Sequence, residues 1–203
     1  MNFFSRCRSV RIVQIFFESF GADVYARRSK IFMNKDLLDL ILSRRSVRRY
    51  SSREIERETL EQLCRAALAA PSARNQQMRE LVVVTARETL NALHAVLPNA
   101  PMLKDAPAAI IVCGELDNEW SVYWQQDCSA SVENVLLAAE ALELGACWCG
   151  LYPREERAAE VARMLGVPAN LMPMALISLG YPLDNTERVK DKWKPEKIHW
   201  EKF

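Results

Sequence analysis

The stretch from Ala130 to Leu142 constrains the fold more than any other part of this 203-residue chain. It forms the second half of the longest predicted helix, from Asn118 to Leu144, and most of its residues are small or apolar. A helix that is apolar on most of its surface is buried on more than one side. We therefore expect it to be the central helix of the domain and to pack at a subunit interface as well.

The segments on either side of this helix alternate between strand-like and helix-like patterns. Apolar and β-branched runs predict strands at 81–86, 108–113, 147–152 and 175–179. Helical spacing of apolar residues predicts helices at 35–45, 56–70, 85–97 and 154–165. Because the long helix interrupts a regular βαβ alternation, the pattern favours an α+β or mixed three-layer architecture.

Charge and cysteine content exclude several classes of protein. Lys and Arg number 27 and Asp and Glu 26, so the net charge is +1 and provides no general attraction for nucleic acid or an anionic membrane. The six cysteines are scattered and do not form two C-x-x-C pairs, which argues against structural zinc. A chain of this size needs no disulfides, so we expect reduced thiols, a cytoplasmic protein and no metal.

The first 33 residues differ from the rest of the chain. They carry six basic residues and two acidic ones, and their apolar stretch from Val10 to Phe20 is too short and too polar to span a bilayer. An Arg-rich, acid-poor start resembles a targeting peptide only vaguely, because no clear small-residue cleavage site follows. We expect residues 1–33 to be an extension outside the fold and residues 34–203 to form one domain.

A dense group of hydrogen-bond donors follows the first predicted domain helix. Between Arg44 and Tyr50 the chain carries four arginines and a serine. Arginine binds phosphate oxygens bidentately, and serine adds a hydroxyl, so the group is suited to a phosphate or another anion. The alternative is a solvated helix end, because cations favour the C-terminal end of a helix. The cluster alone does not decide between these two interpretations.

Four sequence blocks in order identify the chain as similar to the FMN-dependent nitroreductase family, over about residues 35–203. The blocks are Arg-Arg-Ser-Val-Arg-Arg-Tyr at 44–50, Ala-Pro-Ser-Ala-Arg-Asn-Gln-Gln at 70–77, Gly-Ala-Cys-Trp-Cys-Gly-Leu-Tyr-Pro at 145–153, and Leu-Gly-Tyr-Pro at 179–182 with the basic tail. The resemblance implies an α+β, three-layer fold with a central, mostly antiparallel sheet flanked by helices. It also implies an intertwined homodimer that exchanges terminal segments and holds FMN at its interface.

The resemblance assigns the first and fourth blocks to the cofactor's phosphate and to one edge of the flavin. The residues carried over from the first block are Arg44, Arg45, Ser46 and Arg48. Arg48 is expected at the pyrimidine edge, where a cation stabilises the negative charge of the reduced ring. Lys190 and Lys192 match basic residues that reach the phosphate in relatives, although a charged surface tail would show the same pattern.

The resemblance assigns the second and third blocks to the flavin ring. The second block supplies Pro71, Ser72, Asn75 and Gln77, although Pro, Ser and Asn also form turns without any ligand. Relatives often have Pro-Trp directly after the glutamine, whereas this chain has Met78-Arg79. The third block is expected to bring the backbone amides of Trp148, Cys149 and Gly150 near the ring.

The two cysteines of the third block have a simpler interpretation than redox or metal chemistry. Cys147 and Cys149 lie two residues apart in a predicted strand, so their side chains point to the same face. Free cysteines are among the most buried residue types. We therefore expect both side chains to lie in the core.

The resemblance implies an oxidoreductase that works by a ping-pong scheme. NADH or NADPH delivers hydride to flavin N5, and a small electron-poor acceptor such as a nitroaromatic, a quinone or an enone is then reduced. Because the flavin carries the chemistry, no catalytic side chain is expected. Two alternatives remain, namely other chemistry of the same superfamily, such as reductive dehalogenation, and a non-catalytic flavin carrier. A nucleic-acid-binding protein is disfavoured because the chain lacks interleaved aromatic residues and a large positive charge.

Overall fold

The computed structural model describes residues 37–183 and 191–203, so the predicted extension at 1–33 and the candidate Lys190 lie outside the described residues. The helices are α1 (Leu37–Ser43), α2 (Arg57–Leu68), α3 (Arg87–Val96), α4 (Trp124–Ala141) and α5 (Glu155–Leu165). The strands are β1 (Arg79–Val84), β2 (Ala108–Glu115), β3 (Gly145–Gly150) and β4 (Leu171–Gly180). Every helix and strand predicted within this part of the chain is present, with boundaries that differ by a few residues.

The four strands form one sheet in the order β1-β2-β4-β3, and every neighbouring pair is antiparallel. The fold is therefore α+β with an antiparallel sheet, as the sequence predicted. β4 begins four residues earlier than predicted because Met172 and Pro173 also pair with β2, beyond an irregularity at Val112/Cys113. Pro173 is tolerated there because β3 ends opposite Ala175, which leaves β4 with a neighbour on one side only.

Helices cover both faces of the sheet and create two apolar cores. α2 and α4 contribute Leu63 and Val132 to the first core, which includes Ile110 of β2. α3 and α5 contribute residues to the second core, which includes Ile111 of the same strand. Successive residues of a strand point to opposite faces, so the continuous apolar run of β2 is explained by burial on both sides. The three layers that the sequence predicted are present.

The central helix α4 is shorter at its start than predicted. It begins at Trp124 rather than Asn118, because residues 118–123 form turns held by short polar side chains. The Asn118 side-chain oxygen accepts from the Trp120 N–H (2.9 Å), and the Ser121 hydroxyl donates to the Leu116 carbonyl (2.9 Å). Such local bonds compete with helix formation. The predicted subunit contact of α4 stays a prediction.

α4 ends in a Schellman motif with an unusual residue at its left-handed position. The Leu144 N–H donates to the Ala139 carbonyl (2.8 Å), and the Glu143 N–H donates to the Glu140 carbonyl (3.2 Å). Glu143 has φ of 59°. Glycine usually occupies this position, because other residues are strained there.

In the part of the chain that the structure describes, no helix has the length and apolar character needed to cross a bilayer.

Candidate functional site

The arginine-rich segment is fixed by backbone hydrogen bonds to the ends of β3 and β4. The Val47 N–H donates to the Ala146 carbonyl (2.9 Å), and the Ser51 N–H donates to the Tyr181 carbonyl (2.9 Å). The Arg49 carbonyl in turn accepts from the Leu183 N–H (3.0 Å). The segment therefore lies against the sheet and is more than a solvated helix end.

Val47 and Tyr50 anchor this segment in the core. A Cβ atom on Gly145 would lie 2.6 Å from Val47 Cγ1, and one on Gly180 would lie 2.7 Å from Tyr50 Cγ, so the two glycines leave space for these side chains. The Tyr50 hydroxyl donates to the Val47 carbonyl (2.7 Å) and lies 2.8 Å from Ser178 Oγ. Burial raises the pKa of Tyr50, which keeps the hydroxyl protonated and able to donate.

The polar residues of the segment are more exposed than Val47 and Tyr50. Arg44, Arg45 and Ser46 are half-buried, and Arg48 is exposed. Arg44 Nε lies 3.2 Å from the Glu133 carboxylate on α4, which fixes the direction of its side chain. The four residues of the first block thus lie together near the start of β3, and their role with FMN stays a prediction.

Arg48 connects the first block to the third. The pKa of the Cys147 thiol is lowered, chiefly by a hydrogen bond from Cys149 and also by the positive charge of Arg48. The parallel bridge between Ser46 and Ala146, together with the bond from the Val47 N–H to the Ala146 carbonyl, places the backbone of Arg48 beside β3. The side chains of Cys147 and Cys149 are only 2% and 3% exposed, which confirms that they lie in the core.

The outer edge of β3 presents backbone groups that β4 does not use. Ala146 O accepts from Val47, and Gly150 O accepts from Asn99 Nδ2 (3.3 Å) and Arg157 Nη1 (3.3 Å), so both carbonyls point away from β4. Because alternate residues of an antiparallel edge strand share this direction, the N–H groups of Trp148 and Gly150 also face outward. The same alternation turns the amide of Cys149, the third predicted amide, toward β4.

Gly150 leaves open space beside this edge. A Cβ atom at this position would meet no atom closer than the Tyr152 carbonyl oxygen, at 3.9 Å. Its φ does not lie in the left-handed region, so neither backbone geometry nor contacts within the chain require glycine here. Glycine in a strand often marks close approach by a ligand or another backbone.

The second block forms a tight loop between α2 and β1. Arg74, Asn75 and Gln77 all have left-handed φ values, of 53°, 57° and 55°. The Ser72 hydroxyl accepts from the Gln77 N–H (2.9 Å), and Gln77 Nε2 donates to Asn75 Oδ1 (3.3 Å). Pro71 precedes the loop and is exposed. These side chains thus already perform turn chemistry, and their predicted contacts with flavin stay predictions.

Two buried charged residues that sequence reasoning missed hold this loop. Both oxygens of the Asp127 carboxylate lie 3.1 Å from the Ala73 nitrogen, which donates to them, and Asp127 is only 6% exposed. Arg79 is 4% exposed and donates to the carbonyls of Leu68 and Ala70 at the end of α2. Asp127 lies in the first turn of α4, where a carboxylate is favourable, but the sequence placed the start of this helix at Asn118 and so gave no such signal.

The one remaining candidate within the described residues, Lys192, belongs to the final segment, 191–203. Lys192 is exposed and has no hydrogen bond or ion pair within the described residues. Across residues 37–183 and 191–203, no group of three or more His, Cys, Asp or Glu side chains is arranged to hold a metal ion.

Burial raises the pKa of Cys113 and Cys128 to about 12, so these thiols are protonated at neutral pH.

Comparison with known proteins gives a consistent result. The model of the nitroreductase family matches residues 41–97 and 89–181. An Archaeoglobus fulgidus protein, provisionally named NADH dehydrogenase/NAD(P)H nitroreductase, is 42% identical over an alignment of 175 residues, and the match covers 83% of this chain and 99% of that protein. The crystal structure of a similarly named protein from Parabacteroides distasonis has a TM-score of 0.80 and 40% identity, and the match covers 84% of this chain and all of the other. An FMN-dependent nitroreductase from Clostridium difficile R20291 has a TM-score of 0.76 and 28% identity, over 82% and 99% of the two chains.

Proposed function

Because this chain belongs to the nitroreductase family, we propose that it is an FMN-dependent oxidoreductase that transfers reducing equivalents from NADH or NADPH to an electron-poor acceptor. The acceptors that we propose are nitroaromatics, quinones and enones. The names of relatives support the donor and the cofactor, since one is provisionally named an NAD(P)H nitroreductase and another is an FMN-dependent nitroreductase.

The observation that carries the proposal is the outer edge of β3. Between Ala146 and Gly150 this edge has outward backbone N–H groups, the backbone of Arg48 beside it and open space where a side chain would otherwise stand. A flavin ring has hydrogen-bond acceptors along one edge and needs close approach from the protein. The residues present therefore fit the cofactor that the family implies.

In this proposal each residue of the first and third blocks has a distinct task. Arg44, Arg45 and Ser46 would bind the phosphate, and Arg48 would stabilise negative charge at the pyrimidine edge of the ring. The N–H groups of Trp148 and Gly150 would orient the ring against β3. When bound, the flavin supplies hydride acceptance and donation at N5, so the chain itself needs no side-chain acid, base or nucleophile.

We also propose that two copies of the chain associate. α1 exposes Leu37, Ile41 and Leu42, which recur at helical spacing, and the final residues expose Trp193 and Trp200. Apolar surface of this kind on a helix and on a terminal segment is typical of an interface between chains. In such a dimer the basic tail of one copy, with Lys190 and Lys192, would reach the phosphate site of the other.

An absorption spectrum followed by anaerobic addition of NADH or NADPH tests the proposed function. We expect a yellow protein that bleaches with at least one donor and regains its colour with a nitroaromatic or a quinone. A protein that stays yellow with both donors would indicate a flavin carrier. A colourless protein that cannot be reconstituted with FMN would refute the cofactor assignment.

A pair of variants makes the assignment specific to the first block. Arg48→Gln removes the charge beside β3, and we expect it to weaken FMN binding. Arg57→Gln removes an exposed arginine whose partner is Glu61, four residues along α2 (3.0 Å), and it should leave FMN binding unchanged. Titration of apoprotein with FMN, followed by quenching of flavin fluorescence, measures both. Equal affinities in the two variants would contradict the role of Arg48.

A further inference from the structure

A cavity lies beside the loop that follows α2. It has a volume of about 520 Å³ and is lined by Ala73, Arg74, Trp120, Tyr123, Gln126 and Asp127. This volume falls within the range of small-molecule sites, roughly 300–1,000 Å³. We propose that this cavity binds an aromatic ring carrying an anionic group, with Trp120 facing the ring and Arg74 binding the anion.

Arg74 and Trp120 form the polar and aromatic parts of this cavity. The guanidinium carbon of Arg74 lies 4.8 Å from the centre of the Trp120 ring. Trp120 Nε1 donates to the Glu119 carboxylate (2.7 Å), which fixes the indole in place. Stacking of this kind orients the guanidinium and leaves its edge available for two parallel hydrogen bonds to an anion.

Arg74 makes no ion pair with the neighbouring acids among the described residues. Asp127, which also lines the cavity, keeps its negative charge but directs both oxygens at the Ala73 N–H. The Glu119 carboxylate accepts from the indole, and the other polar residues of the cavity, Tyr123 and Gln126, are neutral donors or acceptors. The guanidinium of Arg74 is therefore the charged donor group of the cavity, and it is the group that an anionic ligand would contact.

The loop geometry fixes where Arg74 projects. Its φ of 53° is left-handed, and the Ala73 N–H, which donates to the Asp127 carboxylate, holds the loop against α4. Arg74 lies between Ser72 and Asn75, which the family resemblance assigns to the flavin, so the inference rests on the proposed function. The anion could belong to the electron acceptor or to the adenosine 2′-phosphate of NADPH, and both present an aromatic ring with an anionic group.

Calorimetry on the FMN-supplemented protein with two matched pairs of ligands tests the proposal. One pair is 4-nitrobenzoate and 4-nitrobenzyl alcohol, and the other is adenosine 2′-monophosphate and adenosine. We expect the wild type to bind the charged member of at least one pair roughly tenfold more tightly, as one charge-assisted contact in a partly exposed site would give. The pair that shows the preference identifies the source of the anion.

Variants separate the two parts of the cavity. Arg74→Gln should abolish the preference for the charged member, and Arg74→Lys should restore part of it, because lysine keeps the charge without the planar fork. Trp120→Leu should weaken both members of a pair by the same factor. Arg53→Gln is the matched control and should leave the preference for the charged member unchanged. Arg53 also stacks on an aromatic ring, that of Tyr181 (3.9 Å), but it does not line this cavity.

The outcomes are distinct from those of the reductase test. Equal affinity of the wild type for charged and neutral ligands in both pairs overturns the proposal, as does a preference that survives Arg74→Gln. Failure of NADH and NADPH to bleach the flavin would refute the proposed function, whereas these equilibrium affinities are measured without turnover. If the cavity prefers anions but neither NADH nor NADPH reduces the flavin, the binding proposal stands and the proposed function is refuted.

Discussion

Alanine at Gly150 should leave the fold intact while weakening the binding of FMN. Within the chain, the added methyl group meets nothing closer than 3.9 Å, and φ is not left-handed. Replacing glycine by alanine inside a strand even reduces the entropy lost on folding, which is worth about 0.5–1 kcal/mol. A flavin ring seated against β3 would instead contact this methyl group directly.

Gly180→Ala is the matched comparison, because it places the same methyl group on the neighbouring strand. There the new Cβ would lie 2.7 Å from Tyr50 Cγ, about 1 Å closer than the usual contact between carbon atoms. Overpacking of this kind costs about 1–3 kcal/mol. For a chain of this size that corresponds to a fall in Tm of roughly 2–4 °C per kcal/mol. Displacing Tyr50 would also move the arginine-rich segment.

Two measurements on each variant separate the effects. Thermal unfolding of the FMN-free proteins, at one protein concentration, reports on the fold, and titration with FMN reports on the site. We expect Gly150→Ala to keep or slightly raise the Tm and to lose at least about tenfold in FMN affinity, which is 1.4 kcal/mol. Gly180→Ala should lower both the Tm and the affinity for FMN. If Gly150→Ala binds FMN as tightly as the wild type, the placement of the ring beside β3 is refuted.

Three further predictions follow from local contacts. Asp127→Asn should destabilise the protein by about 1–2 kcal/mol in urea unfolding, since a charged acceptor for the Ala73 N–H is lost; an unchanged midpoint would contradict this. Glu143→Gly should stabilise the chain by about 1 kcal/mol, and Gly166→Ala should destabilise it by a similar amount, because both positions are left-handed, with φ of 59° and 66°; changes of the same sign would refute the argument. With Cys7 replaced by alanine, Cys64 should react fastest with a disulfide reagent because it is the one partly exposed thiol in the described chain. Its burial raises the pKa, so the rate should still be rising at pH values well above 8.5, where a free thiol is almost fully ionised and its rate has levelled off.

The sequence predicted the architecture because periodicity and burial agree in this chain. The apolar run of β2 and the small apolar residues of α4 each specify burial on two sides, and both elements are central in the structure. Prediction was less accurate where side chains bond to nearby backbone. The helix expected from Asn118 begins at Trp124, because Asn118 and Ser121 satisfy the turn before it.

The candidate site was predictable where it depends on one short segment. Arg44, Arg45, Ser46 and Arg48 lie together because they are adjacent in sequence and are held by Val47 and Tyr50. Contacts over long sequence distances carried no such signal. Asp127 is 54 residues from the amide that it binds, and nothing in either local sequence indicates the pairing.

The contacts of α4 determine which parts of this enzyme an engineer can change independently. Its polar side chains contact α2 through Ser131 and Asn134, the loop that follows α2 through Asp127, and the arginine-rich segment through Glu133. A library that varies α4 would therefore alter stability and cofactor binding at once. The turns at 118–123 contact these elements far less, so randomising them together with Arg74 should yield variants that differ in ligand choice and still fold.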